Sequence, residues 1–258
     1  GTLTTFSSKN FRDFERDYKE RLFKVTPFRD RKDFNYAWMS VVAEVDKNPG
    51  EYGWSPQGVI VSPVYADPYS RCSTIGPRVL DNLGIPSSCE RDYILDSVFR
   101  QGYTDLRVSL KEGVPKFLEN LSKKGKVYIV TNSALNGVGP ILARGGVNVS
   151  DLVLKGNAQK WYLSGTNSRE IEGFPRPVFM DRSEYYYVIQ SILTQEGIDV
   201  EDLGVIDDLF EMGLAMPHDE GATVFHAVNP WVPDFEKNVT LGLERAAPVN
   251  CLEEVLDI

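Results

Sequence analysis

Two apolar runs of strand length constrain the fold of this chain more than any other part of its sequence. The first covers residues 126–130 and is followed by Thr-Asn-Ser, and the second covers residues 204–206 and is followed by Asp-Asp. Runs of this kind are typical of parallel strands that are buried on both faces of a sheet. Because ligands of doubly wound α/β proteins bind at the carboxyl ends of the strands, the polar residues after each run mark a candidate site.

The sequence around these runs alternates between strand and helix patterns. Strands separated by helices predict an α/β fold with a doubly wound, mostly parallel sheet that carries helices on both faces. Helices are predicted from 111–115 to 123–125, over 135–144 and over 183–196, and further strands over 58–64, 151–154 and 222–228.

Two amphipathic helices are predicted ahead of the first of these strands. Apolar residues recur at three- and four-residue spacings over 9–24 and again over 32–46. A later segment combines turn signals with helical spacing, as expected for a small helical insertion. We therefore predict an N-terminal helical extension of residues 1–57, an α/β core of residues 58–65 and 108–258, and a small helical cap at 66–107.

Composition limits the kinds of partner and the location. The net charge is −9, and residues 199–258 hold 14 acidic side chains against 2 basic ones. This balance argues against nucleic-acid binding, which needs a basic surface. No apolar run approaches the roughly 20 residues of a membrane helix, so no membrane partner is expected. The three cysteines lack Cys-x-x-Cys spacing, which favours a reducing, cytoplasmic location.

The polar residues after the strands suggest specific chemistry. Thr131, Asn132 and Ser133 offer compact donors for phosphoryl oxygens, although the same residues are also suited to capping the next helix. Asp207 and Asp208 are adjacent carboxylates, an arrangement that is costly unless a cation or hydrogen-bond donors compensate it. The acidic pair therefore predicts a cation site.

A basic residue is expected to complete the site. Arg176 precedes Pro177 ahead of the helix predicted at 183–196, and a guanidinium can bind phosphate through two parallel hydrogen bonds. The alternative is a surface arginine in a proline-rich turn. Lys155 and Lys160 are rival candidates for the same role.

The order of these residues resembles the haloacid dehalogenase superfamily of phosphohydrolases. Its members carry Asp-x-Asp after a first strand, Thr or Ser after a second, a Lys or Arg, and a final acidic cluster. Thr131 is similar to the second motif, Arg176 to the third, and Asp207 with Asp208 to the fourth. The resemblance implies phosphate binding by the Thr131 loop and Arg176, and a Mg²⁺ site at the acidic pair. Many members have a further acidic residue after this cluster, and in this sequence Gly213 occupies its position.

The first motif departs from the family pattern. Ser62 stands where the resemblance implies a nucleophilic aspartate, and Val64 where it implies the acid/base aspartate. Two alternatives keep a carboxylate. An alignment of residues 41–48 puts Glu44 at the nucleophile position, and Asp67 lies three positions beyond Val64.

The resemblance therefore implies a haloacid dehalogenase-like protein that is catalytically impaired and retains phosphate- and Mg²⁺-binding remnants for a small phosphorylated ligand. One alternative is an active Mg²⁺-dependent phosphohydrolase with an atypical nucleophile. A second is a non-catalytic interaction protein that binds a protein partner through its N-terminal helices.

Overall fold

A computed structural model of the chain describes residues 3–5, 8–27, 30–47, 68–104, 109–165, 167–229, 232 and 234–256. The described residues fall into two compact units. One contains those between 8 and 104, and the other contains residues 3–5 and those from 109 onward. None of the described helices combines the length and the hydropathy that crossing a bilayer requires.

The first unit consists of four helices. They are α1 (Ser8–Val25), α2 (Arg31–Lys47), α3 (Pro68–Asn82) and α4 (Cys89–Thr104). The helices predicted at 9–24 and 32–46 are thus confirmed. The carboxylate of Asp30 accepts hydrogen bonds from the backbone N–H groups of Lys32 and Asp33, which fixes the start of α2.

One hydrophobic core holds these four helices together. Phe34 and Trp38 of α2 are buried, one turn apart, and their rings pack with centroids 6.3 Å apart. Tyr18 of α1 and Cys72 of α3 belong to the same core. Helices of the predicted N-terminal extension and of the predicted cap therefore pack together, while the domain boundaries themselves stay a prediction.

The alignment that placed the first motif at residues 41–48 is wrong. Those residues that are described belong to α2, whose apolar face buries Val41 and Val45 in the helical core. Glu44 is exposed on this helix and does not end a strand. The competing strand at 58–64, with Ser62 and Val64, lies outside the described residues, as does Asp67.

The second unit alternates strands and helices. Its strands are β1 (Thr4–Thr5), β2 (Ser109–Leu110), β3 (Val127–Val130), β4 (Leu152–Lys155), β5 (Ser168–Arg169), β6 (Val178–Phe179), β7 (Gly204–Asp207), β8 (Thr223–Ala227) and β9 (Ala246–Val249). Its helices are α5 (Val114–Lys124), α6 (Leu135–Arg144), α7 (Ser183–Glu196), α8 (Ala215–Asp219) and α9 (Asp234–Gly242), with a π-helical turn at Phe210–Leu214.

Parallel pairing dominates the longer strands, as predicted. Strand β3 pairs with β4, and β8 lies between β7 and β9, all in parallel. The short pairs β1–β2 and β5–β6 are antiparallel. Helix α5 buries Val114, Phe117 and Leu118 in the core that also contains Val127 of β3 and Phe225 of β8. Helix α5 therefore packs on strands of both parallel groups, as expected of an α/β fold.

Candidate functional site

The loop after β3 is held by the last residue of β4 and by the segment that follows it. The N–H of Thr131 donates to the carbonyl of Lys155 at 2.9 Å, and its carbonyl accepts from the N–H of Ala158 at 3.0 Å. The Thr131 hydroxyl oxygen accepts a hydrogen bond from the N–H of Ser133 at 3.1 Å. Helix α6 begins at Leu135 with Ala134 at its N-cap and no side-chain cap, so the alternative in which Thr131, Asn132 and Ser133 cap this helix is wrong.

Lys160 joins this loop to the acidic pair. Its backbone N–H donates to the side-chain oxygen of Asn132 at 2.7 Å, and its ammonium group lies 2.6 Å from Asp207 Oδ2. Lys160 and Asp207 are both buried. Asn157 and Gln159, just before the lysine, have φ values of 52° and 46°. Such left-handed backbone is uncommon outside glycine and is often found near functional groups.

Two further residues hold Lys160 in place. Arg182, which is 1% exposed, donates from Nη1 to the carbonyl oxygen of Lys160 at 2.6 Å. The Lys160 ammonium also lies 4.9 Å from the ring centroid of Tyr185. Burial is the largest single influence and would lower the pKa of Lys160, but the charges of Asp207, Tyr185 and Asp208 and the hydrogen bond to Asp207 together outweigh it and raise that pKa. Lys160 is therefore a fixed positive charge at neutral pH.

Both carboxylates after β7 are bound by groups of the chain. Asp207 accepts from the N–H of Leu209 at 3.1 Å in addition to its contact with Lys160. Asp208 Oδ2 accepts from the side-chain amide of Asn229 at 3.2 Å, and Asn229 Oδ1 in turn accepts from the ammonium group of Lys111 at 3.2 Å. Burial lowers the pKa of Lys111, and the nearby charge of Asp208 opposes that shift.

Arg176 makes a different contact from the one predicted. Its guanidinium binds both carboxylate oxygens of Glu211, at 2.8 and 3.0 Å, and Glu211 is wholly buried. The basic residue that the structure brings to Asp207 is the rival candidate Lys160. The side chain of Arg176 instead connects the segment before β6 to the π-helical turn.

A second buried acidic residue contacts the backbone of the π-helical turn. Glu236 of α9 accepts hydrogen bonds from the N–H groups of Phe210 and Glu211, at 3.1 and 3.4 Å. Burial and the charge of Glu211 raise the pKa of Glu236 to about 8. Glu236 is not among the predicted site residues, although it shares a helix face with the buried Val239 and Thr240 at the three- and four-residue spacing typical of a core stripe.

The described residues do not fit a magnesium site. None of them forms a group of three or more His, Cys, Asp or Glu side chains that could hold a metal ion. Magnesium prefers an octahedral set of oxygen ligands, including one or two free carboxylates. Both oxygens of Asp207 already accept hydrogen bonds. At the position of the family's later acid, a Cβ atom on Gly213 would overlap the Asp207 carboxylate.

This close approach gives a test of the geometry. We expect Gly213→Ala to lower the free energy of unfolding by roughly 1–3 kcal/mol, the usual cost of forcing an extra group into a packed site. Gly137→Ala is the matched control, because Gly137 is exposed in α6 and nothing lies within 4 Å of its Cβ position. Urea denaturation of the two variants measures the difference. Equal stability of both would contradict the packing of Gly213 against Asp207.

Several solved structures are similar to this chain, two of them with TM-scores above 0.5. A predicted phosphoglycolate phosphatase from Haemophilus somnus 129pt is 13% identical to this chain and has a TM-score of 0.55. The aligned region covers 99% of this chain and 92% of the phosphatase chain. A putative β-phosphoglucomutase from Thermotoga maritima is 15% identical, with coverages of 99% and 93% and a TM-score of 0.52. The putative HAD-hydrolase YfnB from Bacillus subtilis, described as bound to magnesium, is 12% identical, with coverages of 96% and 93% and a TM-score of 0.48.

The chain therefore has the fold of the haloacid dehalogenase-like hydrolases. This confirms the fold predicted from the order of the strand-end residues. No family model matches the sequence, and no curated protein matches it. The likeness is one of fold, and function has to be argued from the site.

Proposed function

We propose that this chain binds a small phosphorylated ligand at the carboxyl ends of β3 and β7 and does not hydrolyse it through an aspartyl-phosphate. The observation that carries the proposal is the position of Lys160. Its backbone is bound to Asn132 and its ammonium group to Asp207, so one residue links the donor-rich loop to the acidic strand end. A fixed cation joined through Asn132 to the loop that carries Thr131 and Ser133 is suited to phosphoryl oxygens.

The proposed loss of hydrolysis depends on two positions of the sequence. By resemblance, Ser62 and Val64 stand where the family has the nucleophile and the acid/base, and both lie outside the described residues. Valine can neither donate nor accept a proton, and serine there has no base assigned to activate it. Removing two such groups is expected to slow phosphoryl transfer by many orders of magnitude.

Phosphate release from a panel of phosphorylated metabolites, with and without Mg²⁺, tests the catalytic half of the proposal. Asp208→Asn is the control for contaminating phosphatase. We expect no release by the wild-type protein above that of the variant. Mg²⁺-dependent turnover that disappears in Asp208→Asn would instead establish the alternative, an active phosphohydrolase with an atypical nucleophile.

Exposed apolar side chains on α2 favour a second candidate function, contact with a protein partner. Tyr36 and Met39 are 79% and 59% exposed and lie three residues apart on one side of this helix. Deleting the N-terminal helices would also remove Phe34 and Trp38 from the helical core. The double variant Tyr36→Ser/Met39→Ser is therefore the better test, and sedimentation velocity of the wild-type protein and the variant shows whether these two side chains mediate self-association.

A further inference from the structure

The acidic pair at the end of β7 is neutralised from within the chain. Asp207 and Asp208 carry two negative charges, and Lys160 and Lys111 carry two positive ones. Lys160 contacts Asp207 directly, at 2.6 Å. Lys111 acts through Asn229, whose amide donates to Asp208 while its carbonyl oxygen accepts from the lysine. The pair therefore needs no external ion to balance its charge.

Displacing Lys160 would be costly. Its side chain and that of Asp207 are only 10% and 13% exposed. A cation that took over the Asp207 carboxylate would leave a buried ammonium group without its counter-charge, which is strongly unfavourable. The backbone of Lys160 is meanwhile held by Asn132 and Arg182, so the lysine has little freedom to withdraw.

The absence of a side chain at Gly213 lets the Asp207 carboxylate pack closely against this residue. A Cβ atom at this position would overlap the Asp207 side chain, so the carboxylate packs directly on the backbone of the π-helical turn. The carbonyl of Gly213 is itself fixed by a hydrogen bond from the buried Tyr185 hydroxyl at 3.0 Å. Asp207 thus faces the lysine and the turn, and both of its oxygens accept hydrogen bonds from the chain.

We infer that Lys160, together with Lys111 acting through Asn229, takes the place of a divalent cation beside the acidic pair, so that phosphate binding at this site does not depend on Mg²⁺. The inference rests on the proposed function, because it concerns the same ligand site. It differs from the Mg²⁺ remnant predicted from the sequence. The difference arises because Lys160 is not next to the acidic pair in sequence and is brought to it only by folding.

Metal binding by the wild-type protein is the first test, and it requires no phosphorylated ligand. Mn²⁺ serves as a paramagnetic substitute for Mg²⁺, and electron paramagnetic resonance measures the fraction that is bound. We expect no saturable binding by the wild-type protein. Saturable binding that Asp208→Asn removes would overturn the inference.

Phosphate binding is the second test. Calorimetric titration with inorganic phosphate, in EDTA and in excess Mg²⁺, should give affinities that agree within about twofold. An increase of about tenfold or more in Mg²⁺, equivalent to about 1.4 kcal/mol, would overturn the inference. If phosphate binds in neither buffer, the proposed function is wrong. The Mn²⁺ titration still decides whether the lysines take the place of a metal ion beside the acidic pair.

Lys160→Met gives a gain-of-binding readout. Removing the ammonium group leaves Asp207 without its counter-charge, and we expect the variant to bind Mn²⁺ and to become dependent on Mg²⁺ for phosphate. Lys123→Met removes an exposed lysine outside the site and is the control, which we expect to bind no Mn²⁺. The two wild-type titrations decide the inference whether or not Lys160→Met folds. A folded Lys160→Met protein that binds no Mn²⁺ would count against it.

Discussion

Arg176→Met should lower the free energy of unfolding by about 3–5 kcal/mol, the usual cost of removing one partner of a buried ion pair. Arg176 binds both oxygens of Glu211, and the carboxylate is wholly buried. Methionine replaces the aliphatic part of the arginine and leaves the Glu211 charge without its main compensation. Urea denaturation at neutral pH, followed by circular dichroism, measures the loss.

A double-mutant cycle separates the pair from its surroundings. Arg176→Met/Glu211→Gln should be more stable than Arg176→Met alone, because the double variant no longer buries an uncompensated charge. Lys123→Met is the control for loss of an ion pair at the surface. Lys123 and Glu119 lie 2.7 Å apart but are 64% and 68% exposed, so this variant should unfold at nearly the wild-type urea concentration.

The same variant tests which residue takes the role of the third motif. Because the guanidinium of Arg176 is bound to Glu211, folded Arg176→Met protein should keep the wild-type affinity for inorganic phosphate. A large loss of phosphate affinity in Arg176→Met, with wild-type affinity in folded Lys160→Met protein, would assign the role to Arg176 as first predicted.

The sequence predicts the strands that carry the site because their signal is local. Strands β3 and β7 are short apolar runs, and the polar residues that follow them need no distant contact to be recognised. Strand β9 was missed because its sequence, Ala-Ala-Pro-Val, has a weak strand propensity. It lies at the end of the order β7–β8–β9, where a proline is tolerated.

The basic residue of the site could not be chosen from sequence spacing. Arg176 and Lys160 both lie between β4 and α7, and only the folded chain shows which of them reaches Asp207. The left-handed backbone at Asn157 and Gln159 and the contact from Arg182 direct Lys160 inward. These are long-range or conformational effects, which apolar periodicity does not report.

The buried carboxylate of Glu236 should make stability fall as pH rises above neutrality. In the native state its pKa is raised to about 8, first by burial and then by the charge of Glu211, whereas its ordinary value is 4.5. Between these two values the native state retains a proton that the unfolded chain has lost. The group therefore contributes full stability below about pH 4.5, and this contribution is lost as the pH rises through about 8.

Glu236→Gln isolates this effect. Glutamine keeps an oxygen for the N–H groups of Phe210 and Glu211 but cannot ionise. We expect the wild-type protein to lose about 2 kcal/mol more than the variant between about pH 6.5 and pH 9, as proton linkage requires for a pKa near 8. Urea denaturation across this range, with exposed Glu172→Gln as the control for loss of a carboxylate, measures the difference.

The pH range matters because His226 acts in the opposite direction. Burial lowers the pKa of His226, so protonation of the unfolded chain removes stability as the pH falls below about 6.5. Nε2 of this histidine lies 3.9 Å from Glu236 Oε2. Their effects on the free energy of unfolding could therefore not be separated at acidic pH. Above neutrality, the difference in the pH dependence of the unfolding free energy between the wild-type protein and Glu236→Gln is due to Glu236. Parallel curves for the two proteins would show that this carboxylate is already ionised in the native state. In that case the π-helical turn beside Asp207 and Asp208 would rest on two buried negative charges that Arg176 alone could not balance.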